Sequence, residues 1–364
     1  MNNLSYTQMR ILETARSFDK LCKIYRKRNI NRAACVQLEE TARVLEEVAG
    51  IENETELSYE FKGKKLQRRL LQYGIKLQNV RFFRKKDGKL SVSVYAHSKS
   101  GCIKASELAL IVGDIIDINL VPTKGSRLIV SGHPAEFMFE EAPVYFALFG
   151  NAGISKEAGD VSGDSFTFAE GDAGRIVMGL SDGMGTGTEA EKKSSLAMEL
   201  VEEFTEAGFT ESRMVEMING ALASEENGAP VTIDLAAVNL MDGLCTFIKL
   251  GAAATFVKCS DNVKIIKPSS LPAGVLDNVE PDISGLKLHD GEYVILVSDG
   301  VVDALPFYDK EQHLARIIDE IKCLNPQKMA DKILEECRYY RGNEHRDDMT
   351  VLVMGIWRIK DLQT

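Results

Sequence analysis

No apolar run in this chain of 364 residues approaches the roughly 18 that a membrane-spanning helix needs. The opening residues, Met1-Asn2-Asn3-Leu4-Ser5, have neither the charged nor the apolar segment of a signal peptide. The five histidines are scattered, which argues against a zinc site. The seven cysteines form no C-x-x-C pair and are odd in number. They are expected as reduced, mostly buried thiols of a cytoplasmic protein, not as a disulfide framework.

What is present is a globular composition, 45% hydrophobic and 27% charged, over a length sufficient for two domains and a large core. The charge is unevenly divided. Residues 1–150 carry 24 Lys and Arg against 17 Asp and Glu, a net of +7, whereas the remainder carry 20 against 37, a net of −17. Such a split marks units with different work.

Helices are expected over about 5–28, with Ile11, Ala15, Phe18, Cys22 and Tyr25 on one stripe, and over about 32–49, ended by Gly50. Their narrow stripes suit packing within the chain or a dimer seam. Residues 1–50 are therefore read as a helical linker or dimerisation segment. Residues 51–141 read as a small α/β domain: a strand over Glu56–Phe61, a helix over Lys64–Tyr73, a hairpin about Asp87-Gly88, a helix over Cys102–Asp117 and short strands at Leu128–Val130 and Phe137–Phe139. From 142 to 364 the texture changes to Gly-rich strands. Hairpins about Asp242-Gly243 and Asp261-Asn262 alternate with consecutive helices at Thr188–Ala207 and Glu211–Glu225, then Gln312–Lys322 and Pro326–Tyr340. Helices in pairs between antiparallel hairpins predict an α+β fold of two sheets covered by helices, not a parallel βαβ sheet. Val231–Leu240 is apolar on both faces, as the interior of a sandwich requires.

The chemistry lies in acids at strand ends. Val177–Ser181 and Tyr293–Ser298 each run into Asp-Gly, at Asp182-Gly183 and Asp299-Gly300. Asp164 follows Ser162-Gly163 at the head of another strand, and Asp347-Asp348 precedes the strand from Met349. A single Asp-Gly is ordinarily a turn. Four such acids in one domain form a set of oxygen ligands suited to Mg²⁺ or Mn²⁺.

Together, Ser162-Gly163-Asp164, Ser181-Asp182-Gly183-Met184-Gly185-x-Gly187, Ser298-Asp299-Gly300 and Asp347-Asp348-Met349-Thr350 resemble the PPM (PP2C-type) serine/threonine phosphatases, in the form of the SpoIIE branch. The resemblance covers about 142–364. It implies an αββα sandwich, with 51–141 as the regulatory domain that precedes the phosphatase. It also implies two Mn²⁺ or Mg²⁺ ions. Asp182 would bridge them, Gly183 would add its carbonyl, and Asp164, Asp299 and Asp347 would complete the site. Asp348 would be a supporting or surface acid, though the two neighbours are interchangeable in sequence. Two metals about 3.5–4 Å apart can hold a hydroxide for in-line attack on phosphoserine. The implied substrate is a phosphorylated anti-anti-sigma factor of the STAS type, and hence control of a sporulation sigma factor. Other readings are a PPM phosphatase for a stress-response phosphoprotein, a two-metal hydrolase of small phosphate esters, or a non-catalytic sensor or cell-division scaffold. A homodimer or higher oligomer is a further expectation. The chain is read as cytoplasmic, and as membrane-associated only within a longer chain that has upstream spans.

Some residues depart from the pattern or stand outside it. Many PPM members have His where this chain has Met184, so the leaving alkoxide needs another proton source. Lys156 is the nearest cation to Asp164 and is read as a solvated lysine, with a phosphate contact as the alternative. The run Gly183–Gly187 fits neither G-x-x-x-x-G-K-[ST] nor G-x-G-x-x-G, and is read as a hinge carrying Asp182, not as a nucleotide loop. Asp234 lies inside an apolar strand and must be paired or protonated if buried, either in a structural hydrogen bond or in a role linked to the site. The basic runs at 23–28, 62–69 and 84–86 lack interleaved aromatics. They read as a solvated face or a protein or membrane-surface contact, with no nucleic-acid partner.

Overall fold

The computed structural model describes residues 6–27, 32–49, 55–57, 60–84, 89–99, 101–123, 126–156, 162–171, 174–183, 188–223, 230–276, 279–341 and 347–359. The chain divides into two compact units. One comprises Met1–Arg16 and Leu45–Ala142, the other Ser17–Val44 and Pro143–Thr364.

Two helices open the chain, α1 (Tyr6–Lys27) and α2 (Arg32–Ala49). Their segments in the second unit are tied to each other, Arg26 to Glu39 at 2.8 Å and the Cys22 thiol to Glu39 at 3.3 Å. The stripe predicted on α1 is the face turned inward, since Ala15 and Cys22 are buried. Gly50, the expected cap of α2, and the Asp87-Gly88 turn lie outside the described residues.

The first unit continues with β1 (Thr55–Leu57), α3 (Glu60–Gln72), β2 (Ile75–Arg84), β3 (Leu90–Ser98), β4 (Ile103–Lys104), α4 (Ala105–Ile116), β5 (Leu120–Pro122), β6 (Ile129–Val130) and β7 (Ala135–Glu141). Its main sheet has the order β1-β2-β3-β7-β5, and β4 pairs with β6. Leu66 and Leu70 of α3 and Leu108, Ala109 and Val112 of α4 form a core with Val92, Val94, Phe137 and Phe139 of the sheet. Two expectations change here. The strand predicted over Glu56–Phe61 stops at Leu57, because α3 starts at Glu60 to bring Leu66 and Leu70, four apart, into that core. The helix predicted from Cys102 starts at Ala105, after a two-residue strand.

The second unit runs β8 (Tyr145–Ile154), β9 (Asp164–Glu170), β10 (Arg175–Asp182), α5 (Thr188–Glu206), α6 (Glu211–Ala223), β11 (Ile233–Asn239), β12 (Leu244–Leu250), β13 (Thr255–Lys258), β14 (Val263–Ile266), β15 (Asp282–Lys287), β16 (Glu292–Val297), α7 (Asp299–Asp303), α8 (Lys310–Glu320), α9 (Pro326–Arg341) and β17 (Met349–Arg358). The strands form two antiparallel five-stranded sheets, β15-β12-β11-β10-β9 and β14-β13-β16-β17-β8. Their facing surfaces share an apolar core that includes Met178, Leu180, Val238 and Phe247 from the first sheet and Val294, Leu296, Leu352 and Met354 from the second. Helices α5 and α6 cover the first sheet through Met198, Val201, Met214 and Ile218. Helices α7, α8 and α9 cover the second through Val301, Leu314, Ile318, Met329 and Ile333. The four layers are the αββα sandwich expected. Strand β11 is buried along Ile233–Val238. Its Ile233, Leu235 and Ala237 meet the helices, while Ala236 and Val238 meet the other sheet.

Residues Ser17–Val44 belong to this unit by packing. Val36 is buried with Phe209 and Met217, Arg43 donates to the Gly208 carbonyl at 2.8 Å, and Glu40 faces Arg213 at 3.8 Å.

Candidate metal centre

Antiparallel pairing brings the first two acids together. Asp164 at the start of β9 is the cross-strand partner of Asp182 at the end of β10. The main chain of Asp182 is held from its other side by Thr232: its N–H donates to Thr232 Oγ1 at 2.9 Å, and its carbonyl accepts from Thr232 N–H at 2.8 Å. Gly183 is buried, and its N–H donates to the Gly163 carbonyl at 3.2 Å. A Cβ at Gly183 would overlap the Ala190 carbonyl of α5, so the residue type is set by this close approach. Met184, Gly185 and Gly187 lie outside the described residues.

The other two acids come from the opposite sheet. Asp299 follows β16 and is the first residue of α7, where the helix N-terminus favours a carboxylate. The expected Asp-Gly turn at 299–300 is instead this helical turn, begun by Ser298 in extended conformation. Asp347 precedes β17, the neighbour of β16. A Cβ at Gly300 would overlap the Asp348 carbonyl oxygen, so glycine allows the 347–348 segment to lie against α7.

The acids act on one another electrostatically. Burial, with the charges of Asp164, Asp299, Asp347 and Asp348, pushes the Asp182 carboxyl up to about 8. Asp164 is pushed up to about 7 by burial, with Asp348 and Asp299 adding to the rise and the Thr350 and Ser298 hydroxyls opposing it. Asp299 is raised by burial and by the Asp347 charge, with the Gly300 amide opposing. One oxygen of Asp164, Oδ2, is buried with no hydrogen-bond partner. All four predicted aspartates therefore belong to one field. Among the described residues, no three acidic, histidine or cysteine side chains converge closely enough to enclose an ion. The donor set is nonetheless of the right chemistry for a hard divalent cation: oxygen only, anionic, self-repelling, and with a buried oxygen unspent.

Asp348 has a distinct role that the sequence left open. Its Oδ1 accepts from the Lys156 N–H and its Oδ2 from the Gly163 N–H, each at 2.6 Å. One carboxylate from the β17 sheet thus pins both ends of the segment leading into Asp164. Lys156 enters the site through this main-chain contact. Thr232 was not singled out in the sequence, and Ser298 and Thr350 stood in the quoted motifs without a role of their own. Their signal is only that each hydroxyl residue lies within three residues of an acid or its paired strand.

A sandwich of two antiparallel sheets flanked by helices, with acids delivered from both sheets to one edge, is that of the metal-dependent PPM serine/threonine phosphatases. The family described as "Stage II sporulation protein E (SpoIIE)" matches residues 172–357, and this chain belongs to it. It is 29% identical over 289 residues to stage II sporulation protein E of Priestia megaterium, covering 78% of this chain and 49% of that protein. The corresponding figures for stage II sporulation protein E of Bacillus subtilis (strain 168) are 27% over 292 residues, 79% and 35%. The chain thus spans half or less of the length of these relatives. Among solved structures it is similar to the PP2C phosphatase domain with a fragment of the regulatory domain of SpoIIE from Bacillus subtilis. There the TM-score is 0.65 at 25% identity, covering 90% of this chain and 94% of that one. The phosphatase domain of the same protein alone gives a TM-score of 0.51 at 29% identity, over 62% and 98%. Among the described residues, no helix is long and apolar enough to cross a membrane.

Proposed function

We propose that this chain removes phosphate from phosphoserine on an anti-anti-sigma factor of the STAS type, using two Mn²⁺ or Mg²⁺ ions, and so acts in sporulation sigma-factor control. The observation that carries this reading is the Asp164–Asp182 cross-strand pair in a common field with Asp299 and Asp347 of the opposite sheet. Membership of the SpoIIE family supports the substrate class. Asp164, Asp182, Asp299 and Asp347 would hold the ions, with the Gly183 carbonyl beside them. Bound there, divalent ions would neutralise the phosphate and make water nucleophilic at neutral pH. The chain's own contribution is positioning. Asp348 fixes the approach to Asp164, and Thr232 fixes Asp182.

The test is phosphate release from a phosphoserine STAS-type protein in Mn²⁺, against small phosphate esters at equal concentration. Asp182→Ala and Asp299→Ala should abolish the metal-stimulated rate while leaving the fold intact. A folded wild-type protein that turns over no phosphoprotein would remove the enzyme reading, and a preference for small esters would replace its substrate.

A further inference from the structure

The facing surfaces of the two sheets are largely apolar, and the buried polar side chains between them include a group near the acids. There, three buried polar side chains meet. Asp234 of β11 and Lys249 of β12 are cross-strand partners, and Thr255 opens β13 of the opposite sheet. The Lys249 ammonium donates to Asp234 Oδ2 and to Thr255 Oγ1, the latter at 2.6 Å. The Thr255 hydroxyl donates in turn to Asp234 Oδ2 at 2.9 Å. All three residues are within 1% of full burial. Burial drives both charges toward their neutral forms and each opposes this in the other.

The position of this triad is informative. Asp234 is paired with Leu180, two residues before Asp182. Phe256, next to Thr255, is paired with Ile295, four residues before Asp299. At about 3.3 Å per residue, the triad lies two residues beneath the acids on the first sheet and three on the second, roughly 7–10 Å. It also spans residues 251–254, where the chain crosses from one sheet to the other. Half of the candidate metal ligands come from each sheet, so the relative register of the sheets sets their separation. Apolar contact is non-directional and tolerates sliding, whereas a three-way hydrogen bond with a buried ammonium at its centre does not.

We propose that Lys249, Asp234 and Thr255 are positioning residues that lock the register of the two sheets and thereby set the gap between the Asp164–Asp182 pair and the Asp299–Asp347 pair. This rests on those aspartates being the metal ligands. A buried ion pair is commonly replaced by apolar residues at no loss of stability. A triad kept only for packing would therefore be dispensable, and one kept for register would not.

The test compares Thr255→Val, which removes the link between sheets at constant shape, with Thr255→Ser, which keeps it, and with the apolar triple variant D234L/K249M/T255V. Mn²⁺ binding is measured directly by calorimetry, thermal stability is recorded, and crystal structures give the Asp182–Asp299 separation. Thr255→Val and the triple variant should bind Mn²⁺ at least about 10-fold more weakly, with Thr255→Ser close to wild type. The thermal midpoint of the triple variant should be unchanged or higher. A triple variant that fails to fold leaves the Val and Ser pair to decide. Unchanged Mn²⁺ affinity and an unchanged Asp182–Asp299 gap in Thr255→Val would overturn the proposal. A wild-type protein that binds no Mn²⁺, with a gap that still widens in Thr255→Val, would overturn the metal assignment and leave the register lock standing.

Discussion

Stripping divalent ions and raising the pH should weaken the phosphatase unit, and the acids fix both the sign and the ceiling of the effect. Asp182 moves from an ordinary 3.8 to about 8 on folding. At low pH its carboxyl is protonated in both folded and unfolded chains and costs nothing. Between those two values the unfolded chain releases the proton while the folded chain keeps it, so stability falls as pH rises, and the full penalty is present above about 8. A displacement of about four pH units caps the penalty at about 6 kcal/mol. Asp182 is only partly buried, and solvent screening on its open side brings the expected value to about 2–3 kcal/mol. Asp299, which is raised together with Asp182 and acts on it, titrates with it as a pair, so its rise is not a second, additive penalty. The single tryptophan, Trp357 of β17, stacks against Phe146 at 5.7 Å and reports on this unit alone. Urea unfolding followed by its fluorescence in chelator should therefore find Asp182→Asn more stable than wild type by about 2–3 kcal/mol near pH 9, the gap closing toward zero near pH 4. Saturating Mn²⁺ should recover about 2.7 kcal/mol for wild type at 100 times its dissociation constant, and nothing for the variant. A wild-type-to-variant gap that is the same at both pH values would refute the electrostatic argument.

Asp348→Ala removes the acceptor of two main-chain amides and should cost about 2 kcal/mol after partial replacement by water, with Asp348→Asn near half of that, both read by the same urea titration. Gly300→Ala must displace the Asp348 carbonyl and should cost about 1–3 kcal/mol, so a melting temperature equal to wild type would disprove the close approach. Arg43→Met loses the bond to the Gly208 carbonyl, worth about 1 kcal/mol. Hydrogen exchange should then rise in α2 and stay unchanged in β11.

The layers of the phosphatase unit were legible because its central strands are apolar on both faces and its helices arrive in consecutive pairs. Strand β15 was not, since it is an edge strand whose residues are mostly exposed and so carries little apolar signal. Helix α7 was missed because Ser298-Asp299-Gly300 satisfies a turn and a helix start equally well; packing of Val301 against the sheet decides between them. The four acids could be named from their place at strand ends, but the division of labour between Asp347 and Asp348 could not. It depends on amides some 190 residues away, at Lys156 and Gly163. The partner of Asp234 was within reach of the sequence. A hairpin about Asp242-Gly243 fixes the register that sets Asp234 opposite Lys249, the cation that a buried carboxylate there requires.

Strand β17 lies between β16 and β8, paired with β8 over its whole length from Met349–Ile154 to Arg358–Tyr145. In order of synthesis it is the last strand of the unit, yet it occupies an interior position in its sheet. Until it emerges from the ribosome, β8 and β16 present open edges to each other's solvent and to other chains. The same strand brings Asp347 and Asp348 with it. From residue 299 until residue 347 a nascent chain therefore holds three of its four candidate ligands without the fourth, or the clamp on the first. Both are acquired in the single step that closes the sheet, so folding of the unit and completion of its site are one event.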